Sequence, residues 1–343
     1  MRIRLRPAVA AVTTAVTAAT CLTAVASPAS AHPAPRACSP SARVTGYSDA
    51  LDKTTFRGAY VGNLSALAVD TNGRLTALSD RSKLFTLDRH ARPASVVSFA
   101  DETGQQLDSE GLAIQRDGTR LITSETEPSV RRYDRRGRLL ERLPVPGALQ
   151  THKVSNRTFE GLTLDDHGNT LIASMEGWLT TDGTDTRRIQ TWRRGHRGDF
   201  RLGRQFAYMG DTGYGIAEIE AIGDGRLLVL ERSFASSVGW TAHLYVADPR
   251  SATNVSGITG LANLASGVRF ASKTLIARLE DCPPLGAPSK VEGQANPLLG
   301  NIEGMAITGL RRGGLHLTLV TDDGESTTEI TRLYGLDVRL PRR

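Results

Sequence analysis

The chain has 343 residues, of which 39% are hydrophobic and 23% charged, with a formal net charge of +6. That apolar content with well-mixed charge excludes a disordered chain, and no stretch beyond the first thirty residues is apolar enough to cross a bilayer as a helix, which excludes a multi-span membrane protein. The length would allow two domains, but all-β barrels and propellers often run beyond ~200 residues as one unit.

The first element reads as a targeting segment. Arg2, Arg4 and Arg6 form a basic start, Ala8 to Ala26 is an Ala/Val/Thr-rich apolar run, and Ala29-Ser30-Ala31 has the small-x-small form that signal peptidase accepts. Cys21 lies within the run, but Ala18, Ala19 and Thr20 before it make a poor lipoprotein site. A leader over 1–31 is therefore expected, with a secreted chain of 312 residues and formal charge +3 starting at His32. Two cysteines remain, Cys38 and Cys282, and an oxidising compartment favours one disulfide between them. That bond would tether a short segment over 32–45 to a domain over 46–340.

From Ser65 onward the chain repeats itself. Ser65-Ala66-Leu67-Ala68-Val69 passes through Asp70-Thr71-Asn72-Gly73 to Leu75–Asp80. Glu110-Gly111-Leu112-Ala113-Ile114 passes through Asp117-Gly118 to Leu121–Glu125, and Glu160-Gly161-Leu162-Thr163-Leu164 leads to Leu171–Glu176. A fourth copy runs from Glu218 through Asp224-Gly225 to Glu231, and a last one from Glu303-Gly304-Met305 to Asp322. Each copy is two strands around an Asp/Gly turn, which is hairpin chemistry. Further strands are predicted at Val130–Tyr133, Leu139–Leu143 and Leu244–Val246. Units of about 40 to 55 residues with four strands are propeller blades. The glutamates at 110, 160, 218 and 303 are separated by 50, 58 and 85 residues. The last gap leaves room for a degenerate unit around 242–277. The expectation is an all-β propeller of six four-stranded blades, with five or seven as the alternatives.

The repeat also carries the chemistry. The start of a blade's first strand and the end of its second lie at the same end of the central channel. Glu110, Glu160, Glu218 and Glu303 take the first place; Asp80, Glu125, Glu176, Glu231 and Asp322 take the second. Gathered at one mouth, these acids repel one another and raise each other's pKa unless a cation or arginines intervene. Arg81 and Arg232 are adjacent to two of them. With Asn156 and Asn301 nearby, and no cysteine or clustered histidine, the oxygen-rich set favours Ca²⁺ over Zn²⁺.

Other signals are weaker. The Asp-x-Asn-Gly and Asp-Gly elements read as turns rather than calcium loops, and no G-x-S-x-G, H-E-x-x-H or P-loop pattern occurs. Arginine-rich stretches at 131–138 and 187–201 read as solvated outer strands, so no nucleic-acid partner is expected. Nor is a membrane, once the leader is removed.

Taken in order, several of these segments resemble the family described as esterase-like activity of phytase. They are Asn63-Leu64-Ser65-Ala66-Leu67 with Ser79-Asp80-Arg81-Ser82, Asp108-Ser109-Glu110-Gly111 with Ser124-Glu125, and Asn156-Arg157-Thr158-Phe159-Glu160-Gly161-Leu162 with Met175-Glu176. Leu230-Glu231-Arg232-Ser233, Asn301-Ile302-Glu303-Gly304-Met305 and Thr321-Asp322-Asp323 complete the set. Asn63 departs from the family's usual glycine, and the fourth unit, Ile216-Ala217-Glu218-Ile219-Glu220, leaves the site glutamate open between Glu218 and Glu220.

The resemblance implies a propeller that hydrolyses ester bonds, with small carboxylic or phosphoric esters as partners, acting as a monomer. On this reading Glu110, Glu160, Glu218 and Glu303, with Asp80 and Asn301, would hold Ca²⁺. Arg81, Arg232, Asn156, Asp322 and Asp323 would bind substrate, and Glu125, Glu176 or Glu231 would supply the general base. A calcium-dependent lactonase-like propeller and a non-enzymatic binding propeller are the competing readings.

Overall fold

The computed structural model describes residues 36–165, 167–262, 267–311 and 313–342. The expected leader over 1–31 and its cleavage point lie outside the described residues.

The repeat forms five blades rather than six. Blade 1 comprises Leu64–Val69, Leu75–Ser79, Lys83–Leu87 and Pro93–Ser98. Blade 2 comprises Ser109–Ile114, Arg120–Ser124, Ser129–Tyr133 and Leu139–Arg142. Blade 3 comprises Phe159–Leu164, Thr170–Met175, Thr186–Arg194 and Phe200–Met209. Blade 4 comprises Gly215–Ala221, Leu227–Ala235, Gly239–Asp248 and Ser272–Arg278. Blade 5 begins with Asn301–Arg311, Gly314–Asp322 and Leu333–Arg339 and takes its outer strands, Ala42–Ser48 and Ala37–Ser39, from the other end of the chain. The five first strands adjoin in turn, and that of blade 5 returns against that of blade 1, which closes the ring.

The sixth blade fails for a physical reason. Among the described residues, the 85-residue gap before Glu303 holds no extra sheet. Its 242–277 region supplies the two outer strands of blade 4, and connections over 249–262, 267–271 and 279–300 take up most of the other described residues.

Burial is distributed as a propeller requires, with one apolar cluster at each blade interface. Leu78, Leu112 and Tyr133 pack between blades 1 and 2, and Leu121, Phe159 and Trp192 between blades 2 and 3. Ile189, Ile219 and Val229 fill the next interface, Leu230, Leu244, Met305 and Leu317 the one after. Leu67, Phe85 and Val320 close the ring. The core is therefore five slabs between sheets, each burying alternate side chains of two facing strands.

The disulfide is present, joining Cys38 in the outermost strand of blade 5 to Cys282, just past blade 4. It fastens the closing strand to the neighbouring blade. The arginine-rich strand of blade 3 is not a solvated surface: Arg187 and Arg188 are buried, and Arg188 makes a two-pronged pair with Asp182 at 2.7 and 2.8 Å.

Candidate functional site

Every first strand carries a β-bulge at the same place, and the bulges build the site. Before the bulge, Leu64 pairs with Ser79, Ser109 with Ser124, Phe159 with Met175, Ile216 with Glu231 and Ile302 with Thr321. The next residue in each strand is the bulged one: Ser65, Glu110, Glu160, Ala217 and Glu303. A bulge re-aims its side chain out of the ladder. In three blades that side chain is a glutamate turned toward the mouth. Gly111 and Gly161 follow two of them because a Cβ there would lie 2.3 Å from the Glu160 carbonyl oxygen and 2.6 Å from the Ile219 nitrogen, on the adjacent first strands.

At or just past the facing part of the second strands the equivalent residues are Asp80, Glu125, Glu176, Arg232 and Asp322. The first three donate their backbone N–H to Asn63, Asp108 and Thr158, while Arg232 and Asp322 pair with Gly215 and Asn301. Blade 4 thus places an arginine where the others place acids, beside an alanine where three others place glutamate.

These residues surround a cavity of about 340 Å³. Of the expected site residues, it brings together Asp80, Glu110, Glu125, Asn156, Glu160, Glu176, Arg232, Asn301, Glu303 and Asp322. It also includes Asp108, Arg157 and Ser65, to which the sequence reading gave no role. Asp108 stands two residues ahead of Glu110, just before its first strand, as Asn301 stands two ahead of Glu303, and comparing strand starts would have found it.

Four expected residues lie elsewhere. Glu218 occupies the place of the glycines, one residue past the bulge, and its carboxylate accepts the backbone N–H groups of Leu162 and Ile219 at 3.0 and 2.9 Å. Glu231 is fully buried among Tyr208, the Asp211 N–H (2.7 Å) and Lys273 (2.8 Å). Asp323 is held by Lys53, Tyr60 and the Asn63 N–H. Arg81 is exposed beside Asp80, at 3.5 Å. The alternative Glu220 accepts from the Thr163 hydroxyl at 2.9 Å and is likewise outside the cavity.

The electrostatics follow from crowding. Arg232 donates to Glu303 at 2.7 Å and to Glu160 at 3.1 Å, and lies 3.7 Å from Glu176. Burial opposes its charge, but these acids hold it above the ordinary arginine range. Burial, followed by Asp322, pushes Asp80 up to about 7; burial, followed by Glu176, does the same to Glu125. Glu110, Glu160 and Glu303 are raised well above ordinary carboxylates, chiefly by burial, with Glu303 acting on Glu110 and Glu110 on Glu160.

The oxygens fit a hard cation. Asp80 Oδ1, Glu160 Oε2 and Asn301 Oδ1 are buried without a hydrogen-bond partner among the described residues, and such orphans are costly in a folded protein. The donors are carboxylate and amide oxygens, the set calcium takes. Arg232 Nε is a buried donor in the same condition, so the cavity also offers a place for an anionic oxygen.

The cavity can be set beside known proteins. A family model described as esterase-like activity of phytase matches residues 59–325. An uncharacterized secreted protein of Arthroderma benhamiae is 27% identical over 113 residues, which is 24% of this chain and 22% of the relative. The chain therefore spans about a fifth of the curated relative it matches. Among solved structures, glutaminyl cyclase of Myxococcus xanthus is similar with TM-score 0.45 and 14% identity, over 87% of this chain and 97% of that one. Virginiamycin B lyase of Staphylococcus aureus is similar with TM-score 0.39 and 8% identity, over 83% and 68%.

Proposed function

This chain belongs to the phytase-like family, and on that footing we propose that it is a secreted, calcium-assisted hydrolase of small carboxylic or phosphoric esters acting at the acidic mouth of the propeller. One observation carries the reading: four blades point carboxylates into one cavity, where buried oxygens lack hydrogen-bond partners and Arg232 keeps a buried, unbonded Nε–H. A disulfide and a secreted relative support the extracellular setting.

The residues that would hold calcium are Asp108, Glu110, Glu125, Glu160 and Glu176, whose oxygens cluster at the spacing of metal ligands. Calcium bound there supplies charge stabilisation at the scissile ester oxygen and acidifies a water. Arg232 receives the anionic oxygen of the substrate through Nε, while Glu160 and Glu303 hold its Nη2 in place. Such preorganised donors act where charge develops in the transition state. Asp80 takes the proton from the attacking water. Its Oδ1 accepts no hydrogen bond, with only the exposed Arg81 Nε beside it at 3.5 Å, and a carboxyl held near 7 is matched to base catalysis at neutral pH.

A panel of p-nitrophenyl butyrate, p-nitrophenyl phosphate, inositol hexakisphosphate and a sugar lactone, each with and without EGTA, tests the proposal. Turnover of an ester that chelation abolishes is expected. Preferred lactone turnover would move the protein to the lactonase reading. No turnover on any member, with calcium changing only the melting temperature, would make it a binding propeller.

A further inference from the structure

The calcium reading above leaves open how many ions the mouth holds, and the inference drawn here rests on that reading. Oxygens in one calcium shell stand about 2.3–2.6 Å from the ion, so ligands of a single ion lie within roughly 5 Å of one another. The acids of the cavity meet that condition in two groups. Asp108, Glu110 and Glu125 offer oxygens within 4.8 Å of one another, and so do Glu125, Glu160 and Glu176. Glu125 is common to both, and no single group among the described residues contains all five.

Two further observations point to bound cations. Glu160 is 4% exposed and gives one oxygen to Arg232 at 3.1 Å, while its other oxygen has no hydrogen-bond partner. Eight carboxylates line the cavity against two guanidiniums, those of Arg157 and Arg232, so its formal charge is −6. A single calcium would leave most of that charge uncompensated in a site largely withdrawn from water.

We propose that the mouth holds a pair of calcium ions bridged by Glu125. Asp108 and Glu110 complete one shell, and Glu160 and Glu176 complete the other. Arg232 stands beside the second shell, 3.1 Å from Glu160 and 3.7 Å from Glu176, and so marks the side on which the substrate anion enters.

The test counts ions and needs no substrate. The full chain, stripped with EGTA and dialysed, is titrated with Ca²⁺ in a calorimeter and with Tb³⁺ by luminescence. Two ions per chain are expected. Glu110→Gln and Glu176→Gln should each remove one, and Glu125→Gln should weaken both by about tenfold or more, since loss of a supporting group alone costs that much. Loading with a Tb³⁺/Eu³⁺ mixture should give energy transfer between neighbouring ions. One ion per chain, two ions without energy transfer, or two ions indifferent to Glu125→Gln would each overturn the pair while leaving the calcium reading intact. No bound ion at all would overturn both. The wild-type count decides the matter even if a variant fails to fold.

Discussion

Arg232 concentrates the account in one side chain. It is the partly buried cation that touches Glu160 and Glu303 and comes near Glu176, in a cavity otherwise dominated by acids. Removing one partner of such a buried network leaves the others uncompensated, at about 3–5 kcal/mol. Arg232→Ala should therefore lower the calcium-free melting temperature sharply, and added calcium should recover most of the loss. Hydrolysis should fall by about 10²–10³-fold even with calcium present, as when a preorganised donor is deleted. Differential scanning fluorimetry and initial rates on the same samples check both. Proton linkage gives a second expectation. Asp80 and Glu125 sit near 7 when folded, against ordinary values of 3.8 and 4.5, so the folded state binds their protons more tightly. Their contribution to stability is complete below about pH 4 and is lost as the pH rises through about 7. The melting temperature of calcium-free protein should thus fall from about pH 5 to about pH 8. Saturating calcium favours the ionised acids and should flatten or reverse that slope. A calcium-free profile that rises over this range would contradict the assignment.

The bulge is the element that decides which acids meet. Because side chains alternate along a strand, a shift of one residue sends a side chain to another face. The Glu-Gly pairs at 110, 160 and 303 were legible in the sequence because the bulged acid and the following glycine recur together. Blade 4 carries no such pair. Its Glu218 resembles the others in linear spacing, but the pairing of Ile216 with Glu231 and of Glu218 with Leu230 puts Ala217 on the bulge. The same register sends Glu231 into the blade and Arg232 into the cavity. Hydrogen-bond register is a property of two strands together, so one strand's pattern did not contain it. Asn63 shows the opposite case: it replaces an expected glycine, and its φ of 53° lies in the left-handed region that asparagine tolerates. Glu218→Gln should leave calcium affinity unchanged within about twofold, whereas Glu160→Gln should reduce it by about tenfold or more. Calorimetry on the two variants checks the register directly.

At the scale of the whole molecule, five sheets must stay closed for acids from separate blades to converge. Closure depends on strands from the two ends of the chain pairing in blade 5, with Ala42 opposite Val338 and Ser48 opposite Leu333. The disulfide spans 244 residues of sequence and fastens the outermost of those strands to blade 4. Replacing Cys38 and Cys282 by serine should cost about 2–5 kcal/mol in denaturant unfolding while calcium stoichiometry in the folded protein stays unchanged. The cysteine pair follows from cysteine count, but the closing strand and the blade number did not. The 242–277 region reads as a degenerate unit of its own until strand pairing shows it as the outer strands of blade 4. The most direct test of calcium-assisted hydrolysis at this mouth is one titration, following ester turnover as Ca²⁺ is returned to the chelated chain. Turnover should rise from near zero and saturate together with ion binding; full activity in the chelated protein, or none at saturating calcium, would contradict the account.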